Sequence, residues 1–110
     1  MNEKTITFNV LIYEAHLLGK MKKVMKLLKK YGNYFYIKHY KNVVVPHYHI
    51  YYQSNIPTTE NDIQIMFTEL VATKIFEQEY RGSKERYVEY LLSNGEYKIR
   101  DIVSTMSLND

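Results

Sequence analysis

The chain has 110 residues, 45% of them hydrophobic, and a formal net charge of +3, which suits one compact core and leaves no room for a second domain. It contains no cysteine, so disulfides and thiolate metal sites are excluded and any metal must be held by nitrogen or oxygen. The opening MNEKTITFNV lacks a long apolar core or small-residue cleavage site, and no apolar run approaches the roughly 20 residues of a membrane span, so a soluble, cytoplasmic protein with no membrane partner is expected.

Over residues 5–13, Ile6, Phe8, Val10 and Ile12 alternate with Thr5, Thr7 and Asn9, the period of two that predicts a half-buried strand. Leu17, Met21, Val24, Met25 and Leu28 then recur at helical spacing, predicting a helix over residues 17–31 with Gly32 as its carboxy-terminal cap. The remaining directions of that helix carry Lys20, Lys22, Lys23, Lys26, Lys29 and Lys30, a strongly positive face. Residues 33–40 and 43–53 are rich in aromatic and β-branched side chains and predict a hairpin with a very short connection at Lys41 and Asn42.

After a break at Pro57, Thr59 is placed to cap a second helix, on which Ile63, Met66, Phe67 and Leu70 form the apolar stripe. A strand follows over residues 72–79 and a turn at Arg81 and Gly82. Ser83 caps a third helix that runs to about Ser93, with Tyr87, Tyr90, Leu91 and Asn94 along one stripe, and Asn94 and Gly95 end it. The tail over residues 97–110 is expected to hold a short helix around residues 99–105 and a frayed end. The order β, α, β, β, α, β and a further helix predicts an α+β fold, a ferredoxin-like split βαβ antiparallel sheet with helices packed on one face, as one domain over residues 1–110.

Chemistry concentrates in PHYHIYY, residues 46–52, where His47 and His49 stand two apart in a strand and so leave the same face of the sheet. Two imidazoles on one rigid strand can hold a divalent ion with positions open for phosphate or water, although such pairs also occur on solvated strands. In a hairpin, His39 stands opposite His47 or His49, on the same face if the register has matching parity, and three histidines then converge. His16, at the start of the first helix, reads as a surface or capping residue. Twelve tyrosines and no tryptophan supply rings for the sheet and phenols that can donate, accept or attack.

These residues resemble the HUH endonucleases, and within them the small initiators of rolling-circle replication. The defining pair of histidines around one bulky residue is matched by His47, Tyr48 and His49, the upstream histidine by His39 in YIKHYKN, and the opening strand by TFNVLIY. The third motif, a helix bearing the nucleophilic tyrosine, is matched by Tyr90, Leu91 and Leu92 in ERYVEYLLS, and the resemblance covers roughly residues 5–99. Two positions depart from the pattern: Asn42 stands near the place of an acidic residue, and Ser93 replaces a histidine after the tyrosine motif. Asparagine can ligate through its carbonyl but brings no negative charge.

The resemblance implies a divalent cofactor, Mn²⁺ or Mg²⁺, on His39, His47 and His49, and a phosphotyrosyl link through Tyr90, with Tyr87 in reserve and Tyr97 a distant third. It implies single-stranded DNA or a hairpin origin as partner, in a plasmid- or virus-encoded protein of a bacterial or archaeal cell, with self-association left open. Lys84 and Arg86 are candidates to contact DNA backbone near the nick, and Lys22, Lys26 and Lys29 for the electrostatic footprint, each weighed against a merely solvated helix face. A noncatalytic relative that only grips DNA or a protein, and an RNA-binding sheet with exposed tyrosines, remain the alternatives.

Overall fold

Alternation in the first strand carries straight into the fold. In the computed structural model, which describes residues 7–56, 58–71, 76–93 and 95–108, strand β1 (Thr7–Tyr13) buries Phe8, Val10 and Ile12 on one side. Thr5 and Ile6 lie outside the described residues. The chain continues through α1 (Glu14–Leu17), α2 (Met21–Tyr31), β2 (Gly32–His39), β3 (His47–Ser54), α3 (Glu60–Val71), β4 (Phe76–Glu79) and α4 (Lys84–Leu91). A short 3₁₀ turn (Ile99–Asp101) and the two-residue strand β5 (Val103–Ser104) follow. The sheet is antiparallel in the order β4-β1-β3-β2-β5, an α+β arrangement with the two longest strands next to each other. Among the described residues no helix is long and apolar enough to cross a membrane.

The expected helix over residues 17–31 is split. Leu18 (φ 51°) and Gly19 (φ 77°) both take left-handed backbone between α1 and α2, a conformation that glycine adopts freely and leucine only at a cost. Gly32 is no left-handed cap either, because its backbone is already extended and it opens β2. Its lack of a side chain has another cause: a Cβ there would stand 2.2 Å from the Gln53 carbonyl oxygen and 2.9 Å from Cε1 of Tyr52. Glycine lets the end of α2 turn directly into the sheet.

Caps read from local sequence are in place. Thr59 Oγ1 accepts from the Asp62 N–H at 3.1 Å while the Asp62 carboxylate accepts from Thr59 N–H at 3.2 Å, and Ser83 Oγ accepts from Arg86 N–H at 3.1 Å, each offsetting an orphan donor of the first turn. Pro57, residues 72–75 and Asn94 lie outside the described residues, as do the side chains of Phe67 and Leu70.

The expectation of helices on one face is corrected. On one side of the sheet α2 and α3 cover Phe8, Val10, Ile12, Tyr34, Ile50 and Tyr52 with Val24, Met25, Leu28 and Ile63. On the other side α4 and the C-terminal segment cover Phe35, Ile37 and Tyr51 with Tyr87, Val88, Leu91, Tyr97 and Ile102. The physical reason lies in β2 and β3, which carry large apolar side chains at successive positions; four residues in a row, from His49 to Tyr52, are buried in β3. A strand apolar on both faces needs a cover on both.

Two further boundaries differ from expectation. The connection between β2 and β3 spans residues 40–46 rather than two residues, and Val43, Val44 and Val45 stay out of the strand despite their β propensity, with Val44 fully exposed. Pro46 carries no N–H for a ladder, and its carbonyl instead accepts from Glu14 N–H at 2.9 Å, tying the loop to the start of α1. Among the described residues of the tail only 99–101 are helical, and Val103 and Ser104 pair with Tyr36 and Phe35 instead of continuing a helix.

Candidate metal and nucleophile site

Strand period and hairpin register together build the site. His39 pairs with His47 across β2 and β3, and His49 follows two residues on, opposite Ile37 and Leu11. All three therefore leave the sheet on the face covered by α4. Each offers a ring nitrogen within 4.8 Å of the others, and the ring centroids are 4.7 to 5.5 Å apart. Among the described residues no carboxylate joins the cluster.

Backbone carbonyls orient two of the three rings. His39 Nε2 donates to the Leu91 carbonyl at 3.1 Å and His47 Nδ1 donates to the Val45 carbonyl at 2.7 Å. A carbonyl can only accept, so these contacts select tautomers that leave the lone pair on Nδ1 of His39 and on Nε2 of His47. This is the supporting pattern that metal-ligating imidazoles use. Burial, reinforced by the nearby His39 and His47, pushes the His49 pKa down to about 4. Burial also lowers that of His39, aided by His47 and opposed by the bond to Leu91. Both rings are thus held neutral at physiological pH, the form that binds a cation.

Tyr97 supports the cluster from the side. Its ring is buried and lies 4.8 Å from that of His39, while its phenol oxygen accepts from Tyr40 N–H at 2.8 Å and Lys41 N–H at 3.0 Å. Sequence reasoning ranked Tyr97 only as a remote nucleophile; its role as a brace depends on contacts 56 and 57 residues distant in the chain and has no local signature. Asn42, in left-handed backbone at φ 54°, directs its side-chain amide to the Glu96 carboxylate. Ser93 sits one turn past Tyr90 and donates its backbone N–H to the Tyr90 carbonyl at 3.3 Å.

The two candidate nucleophiles on α4 have opposite surroundings. Tyr90 is 54% exposed, and its ring stands edge-on to His49 at 5.4 Å. Tyr87 is 3% exposed, its hydroxyl donates to Asn9 Oδ1 and stands 3.3 Å from the Ile50 carbonyl, and burial raises its pKa far above the ordinary phenol value. The ionised phenol that an attack requires is disfavoured there.

Basic residues divide between the two sides of the sheet. Lys84 and Arg86 lie on α4, above the histidine face, where Lys84 Nζ donates to the Ser107 carbonyl. Lys22, Lys26 and Lys29 are exposed on α2, which packs against the other face, and Lys29 donates to Asn33 Oδ1 at 3.0 Å. They do not converge with the histidines. His16 is exposed on α1, its ring 5.7 Å from that of Tyr13, which in turn lies 6.1 Å from His47.

The chain matches no family model and no curated protein. The site's own chemistry decides what it can do: three imidazoles suit a divalent cation, and an accessible phenol stands at the edge of the cluster.

Proposed function

We propose that this chain is a metal-dependent single-strand DNA nickase and strand transferase of the HUH type, acting as in rolling-circle replication initiation in a bacterial or archaeal cytoplasm. The observation that carries the reading is the convergence, on one face of the sheet, of His39, His47 and His49 with the exposed ring of Tyr90. The β4-β1-β3-β2 strand order supports the ferredoxin-like form of that family.

The donor set fits a divalent ion on His39, His47 and His49, with Mn²⁺ favoured over Mg²⁺ by its nitrogen ligands. Such an ion, when bound, supplies Lewis-acid polarisation of a phosphate oxygen. The chain's own residues do the rest. Leu91 and Val45 fix the ring orientations through their carbonyls, and Tyr97 braces His39. The Tyr90 phenol gives up its proton and its oxygen attacks phosphorus; the P–O3′ bond breaks and the departing 3′ oxygen takes up a proton as a free hydroxyl. The 5′-phosphotyrosyl link keeps the bond energy, so the reverse attack rejoins a strand. Lys84 and Arg86, on the same face, address the backbone of the bound strand.

Incubation with labelled single-stranded DNA and Mn²⁺ tests the reading, with a covalent protein–DNA band as the expected result and its absence in Tyr90→Phe as the control. Two observations favour a second reading, a DNA-gripping protein without cleavage: the cluster has no carboxylate among the described residues, and Asn42 is turned toward Glu96. No adduct on any strand, with either Mn²⁺ or Mg²⁺, selects it.

A further inference from the structure

Beside the histidines, and sharing Tyr90 with them, a pocket of about 270 Å³ is lined by Asn9, Tyr80, Arg86, Tyr87 and Tyr90. We infer that this pocket is a nucleobase subsite that holds the base next to the scissile phosphate. The inference rests on the nickase reading for the position of the scissile phosphate, but the binding chemistry stands by itself.

The lining is aromatic on three sides. Tyr87 is buried and forms the floor, and its ring meets those of Tyr80 at 5.2 Å and Tyr90 at 6.2 Å, both in steep edge contact. Tyr80 is half-buried and held by its hydroxyl, which donates to the Ser83 carbonyl at 2.8 Å, so one wall is rigid before any ligand arrives. A flat heterocycle inserted against such walls gains stacking at little ordering cost. Two polar groups add direction. Asn9 Oδ1 accepts from the Tyr87 hydroxyl, which leaves the amide Nδ2–H groups as the donors Asn9 presents to an acceptor on the edge of a base, a carbonyl oxygen or a ring nitrogen. Arg86 is exposed and makes no ion pair among the described residues, so its guanidinium is available for the phosphate attached to a seated base. Because Tyr90 lines the pocket and also stands 5.4 Å from His49, a nucleotide seated there adjoins the phosphate that Tyr90 attacks.

Fluorescence anisotropy of short labelled thymidine homopolymers and of abasic strands of the same length, in chelator so that no cleavage occurs, tests the inference on the full chain. Thymidine strands bind more tightly than abasic strands; Tyr80→Leu weakens them about tenfold, and Arg86→Gln weakens both kinds of strand and lowers the salt slope by about one phosphate. Asn9→Asp keeps an acceptor for the Tyr87 hydroxyl and removes the amide donor, so the advantage of thymidine over abasic strands shrinks. Tyr80→Phe, which retains the ring, preserves binding and answers any loss of fold in Tyr80→Leu. Unchanged affinities in folded Tyr80→Leu and Arg86→Gln overturn the pocket even if the covalent adduct forms normally. An intact preference for base-bearing over abasic strands without any adduct overturns the nickase reading and leaves the pocket standing.

Discussion

Replacing Tyr90 and Tyr87 in turn by phenylalanine separates chemistry from packing, because each substitution removes a single oxygen from a different environment. The Tyr90 side chain is 54% exposed, so its loss of a hydroxyl should change stability by no more than about 0.5 kcal/mol. The Tyr87 hydroxyl is buried against Asn9 Oδ1 and the Ile50 carbonyl. Its removal forfeits a hydrogen bond worth about 1 kcal/mol and leaves the Asn9 acceptor poorly satisfied, for a total of roughly 1–2 kcal/mol. In a domain of this size each kcal/mol lowers Tm by about 4–8 °C, so the fall is about 4–16 °C. Differential scanning calorimetry therefore ranks Tyr87→Phe as the damaged protein and Tyr90→Phe as intact, whereas a gel assay with single-stranded DNA and Mn²⁺ gives the opposite order, an adduct in Tyr87→Phe and none in Tyr90→Phe. An adduct that persists in Tyr90→Phe and vanishes in folded Tyr87→Phe refutes the assignment and moves the nucleophile one helical turn toward the amino terminus.

Mn²⁺ binds only the folded hairpin, so at a hundred times its Kd it should stabilise the protein by about 2.7 kcal/mol; a thermal shift that survives His47→Ala with His49→Ala contradicts the three-histidine site. Because the folded-state pKa of His49, about 4, lies below the ordinary histidine value near 6.5, the unfolded chain binds more protons between the two. Stability is then full above about pH 6.5 and falls by about 3 kcal/mol as the pH drops to about 4, a loss that urea titrations should find much reduced in His49→Gln. With α2 across the sheet from the histidines, neutralising Lys22, Lys26 and Lys29 together should weaken single-strand binding less than Arg86→Gln does alone, and the reverse order would place the strand on the lysine face. Gly32→Ala drives a Cβ against the Gln53 carbonyl and should cost about 1–3 kcal/mol, measurable as a lower urea midpoint; an unchanged midpoint would mean that the junction of α2 and β2 relaxes freely.

Features set by neighbours within a few residues were legible in the amino-acid sequence. The alternation of β1, the threonine and serine caps before α3 and α4, and the shared face of His47 and His49 all follow from backbone periodicity and local hydrogen bonding. Features that depend on which surfaces meet were not. Only the register of β2 on β3 sets His39 opposite His47, since a shift of one residue would have sent it to the other face. The spacing of Tyr87 and Tyr90 along one helix put both near the site, and only the packing of α4 on the sheet buries one phenol and exposes the other. The apolar character of both faces of β3 was visible in HIYYQ, but a run of that kind does not say that α2 and α4 will lie on opposite sides, which carries the lysines away from the histidines. Local periodicity specifies what each element presents; long-range packing, whose contacts join residues far apart in the chain, decides what it is presented to.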